Sequence, residues 1–494
     1  MSADLTTAGQ VKVHDLLGIG IGPFDLGLAA LAQPLPDVDA VFLDQRDGFS
    51  WHAGMLIEGT TLQVPFLADL VTMADPTSPY SFLAWLKATG RLYPFYIRES
   101  FYPLRAEYDQ YCRWVAEQLP SLRWGRRVTS VVRVADPSAR AGASSGGGGY
   151  LFEVTAETAH GVEKYCAKHL VLGTGTQPRL PAFLEGLAGA GGSDGAAGAG
   201  PVVHTSDYLP RRDDLRAAGS VTVVGSGQSA AEVYRDLLED CGTGPGEHRV
   251  DWVTRSPRFF PMEYTKLTLE MTSPEYTDHY VSLPIEQRDV LGREQRNLYK
   301  GISGDLIDDI YDTLYRKSAL GTEVPTTLLS DTEVVAARFD PAGTDAAGAE
   351  GRGEYVLTLR HAQLGTTAEH RTRAIVAATG YAASVPEFLA PGLVNLDARG
   401  RYAVTRDYTV DDDKRIHVVN GEEHTHGVTA PDLGFGAWRN SVILANVTGR
   451  EPYPIERRIA FQQFGLPDGG VPAAEPDTRA TKPRPTDNEM EAAR

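Results

Sequence analysis

Val13-His14-Asp15-Leu16-Leu17-Gly18-Ile19-Gly20-Ile21-Gly22-Pro23-Phe24-Asp25-Leu26 is the stretch on which the architecture turns. A short, mainly apolar run leads straight into a glycine turn, and the turn leads straight into the apolar segment 24–31. A strand buried on both faces of a parallel sheet reads this way, and a helix opening at such a turn aims free main-chain N–H groups and its positive dipole end at a phosphate. Gly20, Gly22, Pro23 and Phe24 are therefore candidate dinucleotide-binding residues. Asp44 closes the next apolar run at 40–43, where a carboxylate binds ribose hydroxyls. Asp25 stands where such turns carry a third glycine, which weakens helix packing or sets a negative charge near phosphate.

The same grammar returns far downstream. Val221-Thr222-Val223-Val224 leads into Gly225-Ser226-Gly227-Gln228-Ser229-Ala230, and helix-like text follows at 229–238. No acid closes the next run at 249–254; Arg255 stands there, with Arg258 close by, and a guanidinium at that place suits the 2′-phosphate of NADPH. Further strand-length runs at 169–172, 374–378 and 416–419 complete an α/β pattern of two Rossmann-like dinucleotide-binding domains with a smaller substrate-binding region. The expected order is a first domain from about 10 to 205 and a second from 206 to 370 carrying a substrate segment near 256–325. The run 374–378 is expected to begin the return of the first domain over 371–464, with a disordered tail over 465–494. An acid in one unit and an arginine in the other suit hydride transfer from NADPH to a bound flavin. No CxxC lies beside the second unit, so a dithiol relay is disfavoured and the electrons are expected to go to O2.

Composition narrows the setting. The chain has 494 residues, 42% apolar and 23% charged, with a formal charge of −18, a field that repels phosphate backbones and anionic lipid. Nucleic acid and membrane are not expected as partners. Three scattered cysteines and no secretory-type start point to a reducing cytoplasmic setting without a disulfide framework or metal site. Gly/Ala-dense stretches at 139–149, 186–200 and 341–353 read as flexible surface insertions.

The residues also carry a family likeness. Gly20 to Pro23, Phe49-Ser50-Trp51-His52, Leu62-Gln63-Val64-Pro65-Phe66-Leu67, Asp69-Leu70-Val71, Asp75 to Phe82, Gly173-Thr174-Gly175, Gly225 to Ser229, Ala378-Thr379-Gly380-Tyr381 and Thr425-His426-Gly427 resemble the flavin-dependent N-hydroxylating monooxygenases of siderophore biosynthesis. The resemblance runs over about 13–450 in family order. It implies FAD on the first unit, NADPH on the second, and N-hydroxylation of a primary amine by a C4a-hydroperoxyflavin. It places Gln63 beside the isoalloxazine, Gln228 and Ser229 along the nicotinamide nucleotide, and Trp51, His52, Thr379, Gly380 and Tyr381 near the cofactors. Gln63 and Gln228 are the candidates for shaping the reaction centre, whereas His52 and His426 are expected to be structural donors. The family tends to be tetrameric, which implies a homo-oligomer.

Departures from the family pattern bear on substrate. Family members that act on amino acids typically carry Phe-Leu-Lys-Asp-Leu, whose lysine holds the substrate carboxylate; here the run is Phe66-Leu67-Ala68-Asp69-Leu70. A second polar contact, an Asn or Asp in those enzymes, falls on Leu269. A substrate carboxylate would then lie unpaired, whereas a diamine has none to satisfy. Cadaverine or putrescine is therefore expected, with Glu270, Asn297 or main-chain carbonyls accepting from the far ammonium and Gly434 in the same pocket. L-lysine or L-ornithine remains the alternative if Lys266 or Lys300 holds a carboxylate. Baeyer–Villiger or sulfur-oxidising flavoenzymes, and a non-catalytic NADPH-sensing flavoprotein, share the two turns.

Overall fold

The computed structural model describes residues 12–137, 149–187, 200–244, 246–319, 321–341 and 353–466. The three Gly/Ala-dense stretches lie almost wholly outside the described residues, as does the tail beyond 466. The strand Val13–Ile19 pairs in parallel with Ala40–Leu43 on one side and with Gly161–Leu172 on the other, at the heart of a seven-stranded sheet. Gly161–Leu172 is long enough to change partners: its first half pairs antiparallel with Tyr150–Thr158, and Leu170–Leu172 pairs in parallel with Ile416–Val418. The helix Pro23–Ala32 is buried along its whole length, as its nearly continuous apolar text requires.

The second sheet is five-stranded and parallel throughout, with Ser220–Gly225 between Arg249–Val253 and Ala374–Ala378. This corrects the expected boundaries. Ala374–Ala378 belongs to the second unit, as does Val202–His204 at its far edge, and the chain rejoins the first sheet by a single bridge from Leu389 to Val131 and then by the strand Ile416–Val418. An antiparallel meander, Thr332–Asp340 with Glu354–His361 and Thr367–Thr372, covers one face of the second sheet and buries Tyr355, Leu357, Val253 and Ile375 together.

Two features join the units. The outgoing and returning chains pair with each other, Thr176–Pro178 against Tyr381–Ala383. The helices Pro274–Ser282 and Ile285–Glu294, inside the expected substrate segment, pack by Tyr276, Tyr280 and Leu291 on Val428 of the first unit. Cys112, Cys166 and Cys241 are free and buried, and no described helix is long and apolar enough to cross a membrane.

Candidate active site

The two glycine turns open onto one cavity of about 1580 Å³ between the units. The first glycine of each turn has a positive φ, +99° at Gly20 and +158° at Gly225. A Cβ at Gly20 would lie 2.3 Å from the Gly173 carbonyl oxygen, and one at Gly225 would lie 2.2 Å from that of Ala378, so each turn hugs the end of the neighbouring parallel strand. Around Gly22 nothing lies within 4 Å of where a side chain would begin. The helices starting at Pro23 and Gln228 carry no side-chain cap. Open space, uncapped N–H groups and two helix dipoles fit a pyrophosphate at each turn, so the residues present accommodate both FAD and NADPH.

Electrostatics point the same way. Although the chain is acidic, Arg46, Arg105, Arg126, Arg127, Arg179, Arg255, Arg293, Arg296 and Lys300 line the cavity. Arg255 is exposed at the end of its strand and joins no ion pair among the described residues, as a 2′-phosphate ligand should. Arg258 does not line the cavity. Asp44 has a fuller role than expected. One oxygen accepts from the Ile21 N–H at 2.7 Å, and Arg46 donates to both oxygens, so the carboxylate braces the first turn; burial opposes its charge, but these bonds win and hold its pKa below the ordinary range.

Where the two cradles meet, Gln63 Nε2 donates to Gln228 Oε1 at 3.1 Å. Gln228 Oε1 also accepts from the Ser303 N–H, and its Nε2 donates to buried Glu232 at 2.9 Å. Arg105 of the first unit completes the chain, donating to both Glu232 oxygens at 2.7 Å. Both glutamines are thus fixed by an ion pair that spans the units. Beside them, Trp51, His52, Tyr381 and His204 form a run of edge-on rings 4.7 to 6.0 Å apart. Desolvation, helped by Arg105, pushes His52 down to about 4, so it is neutral at physiological pH. His426 is wholly buried, stacked on Tyr408 at 4.6 Å and pushed down to about 3 by burial; it is structural.

Every expected cofactor residue lines this cavity: Gly20, Gly22, Pro23, Phe24, Asp44, Trp51, His52, Gln63, Gly225, Gly227, Gln228, Ser229, Arg255, Thr379, Gly380 and Tyr381. The substrate candidates divide. Leu269 lines the cavity, but Glu270 and Asn297 do not. Glu270 accepts from the Phe461 and Gln462 N–H groups, strapping the C-terminal segment to the helix end, and the Asn297 Nδ2 donates to Glu263; both side chains are thus engaged away from the cavity wall. Ala68 and Gly434 lie just behind the wall, with the Ala68 Cβ 3.5 Å from the Cβ position of Gly434. Of the two possible substitute cations, Lys300 is held by Glu423, and Lys266 does not line the cavity.

Sequence reasoning missed Asp432. It lines the cavity, and its Oδ1 lies 3.0 Å from the same Gly434 Cβ position that Ala68 abuts. Oδ1 accepts from the Phe435 N–H at 3.0 Å. Enclosure by the cavity walls raises its pKa against the pull of the Phe435 and Gly434 N–H groups. A carboxyl group thus stands near Ala68, both within 3.5 Å of the Gly434 Cβ position.

A family model described as L-lysine 6-monooxygenase/L-ornithine 5-monooxygenase matches residues 12–383. Putrescine N-hydroxylase of Shewanella oneidensis is 43% identical over 455 residues, 92% of this chain and 84% of that protein. The FAD-bound structure of DfoA, a cadaverine monooxygenase of Erwinia amylovora, superposes with a TM-score of 0.82 at 44% identity, covering 92% of this chain and 99% of that one. The ornithine N-hydroxylase of Kutzneria sp. 744, with reduced FAD, NADP+ and L-ornithine, gives a TM-score of 0.74 at 27% identity, covering 89% of this chain and 99% of that one.

Proposed function

The chain belongs to the L-lysine 6-monooxygenase/L-ornithine 5-monooxygenase family, and from that premise we propose that it hydroxylates one primary amine of an aliphatic diamine, cadaverine or putrescine, for hydroxamate siderophore biosynthesis. It is a flavin-dependent N-monooxygenase that uses FAD and NADPH. The observation that carries the diamine reading is the pairing of Ala68 with Asp432 around Gly434. Position 68 carries no cation to hold a substrate carboxylate, and an anion that suits an ammonium stands near it.

NADPH supplies hydride and FAD supplies the oxygen-transferring ring; the protein's work is placement. The first turn and Asp44 orient FAD, and the second turn with Arg255 orients NADPH. Gln63 and Gln228, locked by Glu232 and Arg105, set the polar edge where both cofactors reach the substrate. Asp432 anchors the far ammonium. The reacting amine must present a lone pair although a free alkyl ammonium has a pKa of ~10.4, so that end of the diamine needs a site that disfavours its charge. Leu269 provides apolar wall, and neutral His52 brings no charge. Exclusion of water by the same walls also limits wasteful release of H2O2.

Turnover of cadaverine, putrescine, L-lysine and L-ornithine side by side, with hydroxylamine and H2O2 both measured, tests the reading. Tighter coupling and higher kcat/KM with either amino acid would overturn it, as would NADPH oxidation that yields only H2O2 with every amine; no NADPH turnover at all would favour a non-catalytic flavoprotein. The helix Leu92–Ile97 buries none of its residues and exposes Tyr93, Tyr96 and Ile97, which supports a homo-oligomer, tetrameric by family likeness, that sedimentation velocity would detect. Dependence on NADPH and the three free cysteines support a cytoplasmic setting.

A further inference from the structure

The two ends of a glutamine amide have nearly the same shape, and their partners decide which end is which. Gln228 opens the helix Gln228–Glu239, and Glu232 follows one turn later on the same face. Glu232 is 3% exposed and takes the Arg105 guanidinium on both oxygens at 2.7 Å; Arg105 also donates to the Met55 carbonyl at 3.0 Å. A carboxylate engaged in this way only accepts, so the Gln228 atom 2.9 Å from its Oε1 is the NH2. The other end of the amide is fixed independently. It faces the Ser303 main-chain N–H at 2.9 Å, a group that only donates, so it is the oxygen. Two groups of opposite polarity therefore hold Gln228 in one orientation.

The orientation passes to Gln63. Facing Gln228 Oε1 at 3.1 Å, Gln63 has to present its NH2, which turns its carbonyl oxygen away from Gln228. That oxygen joins no hydrogen bond among the described residues, and Gln63 is half-buried on the cavity wall. Tyr264 adjoins the same amide; desolvation, with Tyr102 and Asp305 nearby, pushes its phenol up to about 12, so it brings no charge. The polarity matters to a primary amine. A carbonyl oxygen accepts an N–H and leaves the nitrogen lone pair unengaged, whereas an NH2 in its place would donate to the lone pair itself and occupy the electrons that the reaction uses. The oxygen is also neutral, and a neutral acceptor favours the ammonium form far less than a carboxylate would.

We propose that Gln63 Oε1 accepts an N–H of the reacting amine, and that Glu232 is the positioning residue that enforces this polarity through Gln228. The inference rests on amine N-hydroxylation in this cavity: Asp432 takes the far ammonium and Gln63 the end that reacts. Glu232 touches neither substrate nor cofactor in this role, and Arg105 keeps its carboxylate in place from the other unit.

The test is hydroxylamine and H2O2 formed per NADPH consumed by the FAD-loaded enzyme with putrescine and cadaverine. Glu232→Gln removes the acceptor that orients Gln228, so both amides can invert; hydroxylamine yield should fall about tenfold while KM for the diamine, set at Asp432, stays within about twofold. Glu232→Asp keeps the carboxylate and should recover part of the yield. Gln63→Glu supplies a measurement that does not depend on how Glu232→Gln folds. A carboxylate against the reacting amine favours its ammonium form, so the acid limb of the hydroxylation rate at saturating diamine should move up by about 1–3 pH units. Gln63→Met should slow hydroxylation and leave that limb in place. An unmoved limb in Gln63→Glu, or unchanged coupling in Glu232→Gln, overturns the proposal. Wild-type enzyme that forms no hydroxylamine from any amine would instead refute the amine reading, and this inference with it.

Discussion

Replacing Asp432 by Asn probes the diamine reading most directly. Asn retains an oxygen to accept from the Phe435 N–H at 3.0 Å, so the turn that leads into the helix Gly436–Thr448 should survive, and only the charge facing the cavity is lost. Truncating one partner of a buried charge pair costs about 2–5 kcal/mol. Asp432 is half-buried by area although enclosed by the cavity, so the lower part of that range applies, about 2–3 kcal/mol, or about 30–160-fold in kcat/KM. The assay is hydroxylamine formation with putrescine and cadaverine, with n-butylamine and n-pentylamine as partners that keep the reacting end and lack the far ammonium. The diamines should lose the full factor, the monoamines less than about threefold, and flavin reduction by NADPH should be unchanged. A similar loss with the monoamines would mean that Asp432 shapes the reacting end or the fold, and no loss with the diamines would remove it from the substrate site. Ala68→Lys attacks the same locus from the other side. An ammonium beside Gly434 would pair with Asp432 and displace that of the diamine, so diamine kcat/KM should fall while the thermal midpoint shows whether overpacking at this buried position contributes.

Arg255→Ala should raise KM for NADPH by the equivalent of about 1–3 kcal/mol and leave NADH almost unaffected; equal effects on both coenzymes would exclude a 2′-phosphate contact. Acid should destabilise the protein early. His169 is pushed down to about 4, and His417 and His426 to about 3, each first by desolvation, so the folded state keeps them neutral while unfolded chains protonate them from about pH 6.5 downward. Their contribution is whole above that pH and is lost as pH falls toward the folded values, on the order of 1–2 kcal/mol per group at pH 5, so the thermal midpoint should drop between about pH 6.5 and pH 5, and an unchanged midpoint would contradict it. Removing residues beyond 466 should leave FAD content and turnover intact. Removing residues from Ile459 onward should raise KM for the diamine, because the Ile459 and Ala460 N–H groups bind Glu275, and those of Phe461 and Gln462 bind Glu270 at the end of the helix that carries Leu269.

The cofactor half of the molecule was legible because its demands are local. Gly20 and Gly225 are required by contacts with the main chain of the adjacent strand, and the apolar runs beside them state how deeply those strands are buried. Depth does not state partnership. Ala374–Ala378 reads like any central parallel strand, and only its pairing with Ser220–Gly225 assigns it to the second sheet. The strands of the covering meander are half exposed and interleaved with charge, and they gave no apolar run to read. Substrate recognition was least legible because it depends on side-chain direction and on residues far apart in the chain. Glu270 is an acid in the expected segment, but the C-terminal strap claims both its oxygens. Asp432 is one of 65 acidic residues and gains meaning only where the fold sets it against Ala68 across Gly434. Each member of that pair is uninformative alone. Asp432 opposite a lysine would be a neutralised wall, and Ala68 opposite an apolar residue would be packing; selection for an ammonium requires the lost cation and the gained anion together.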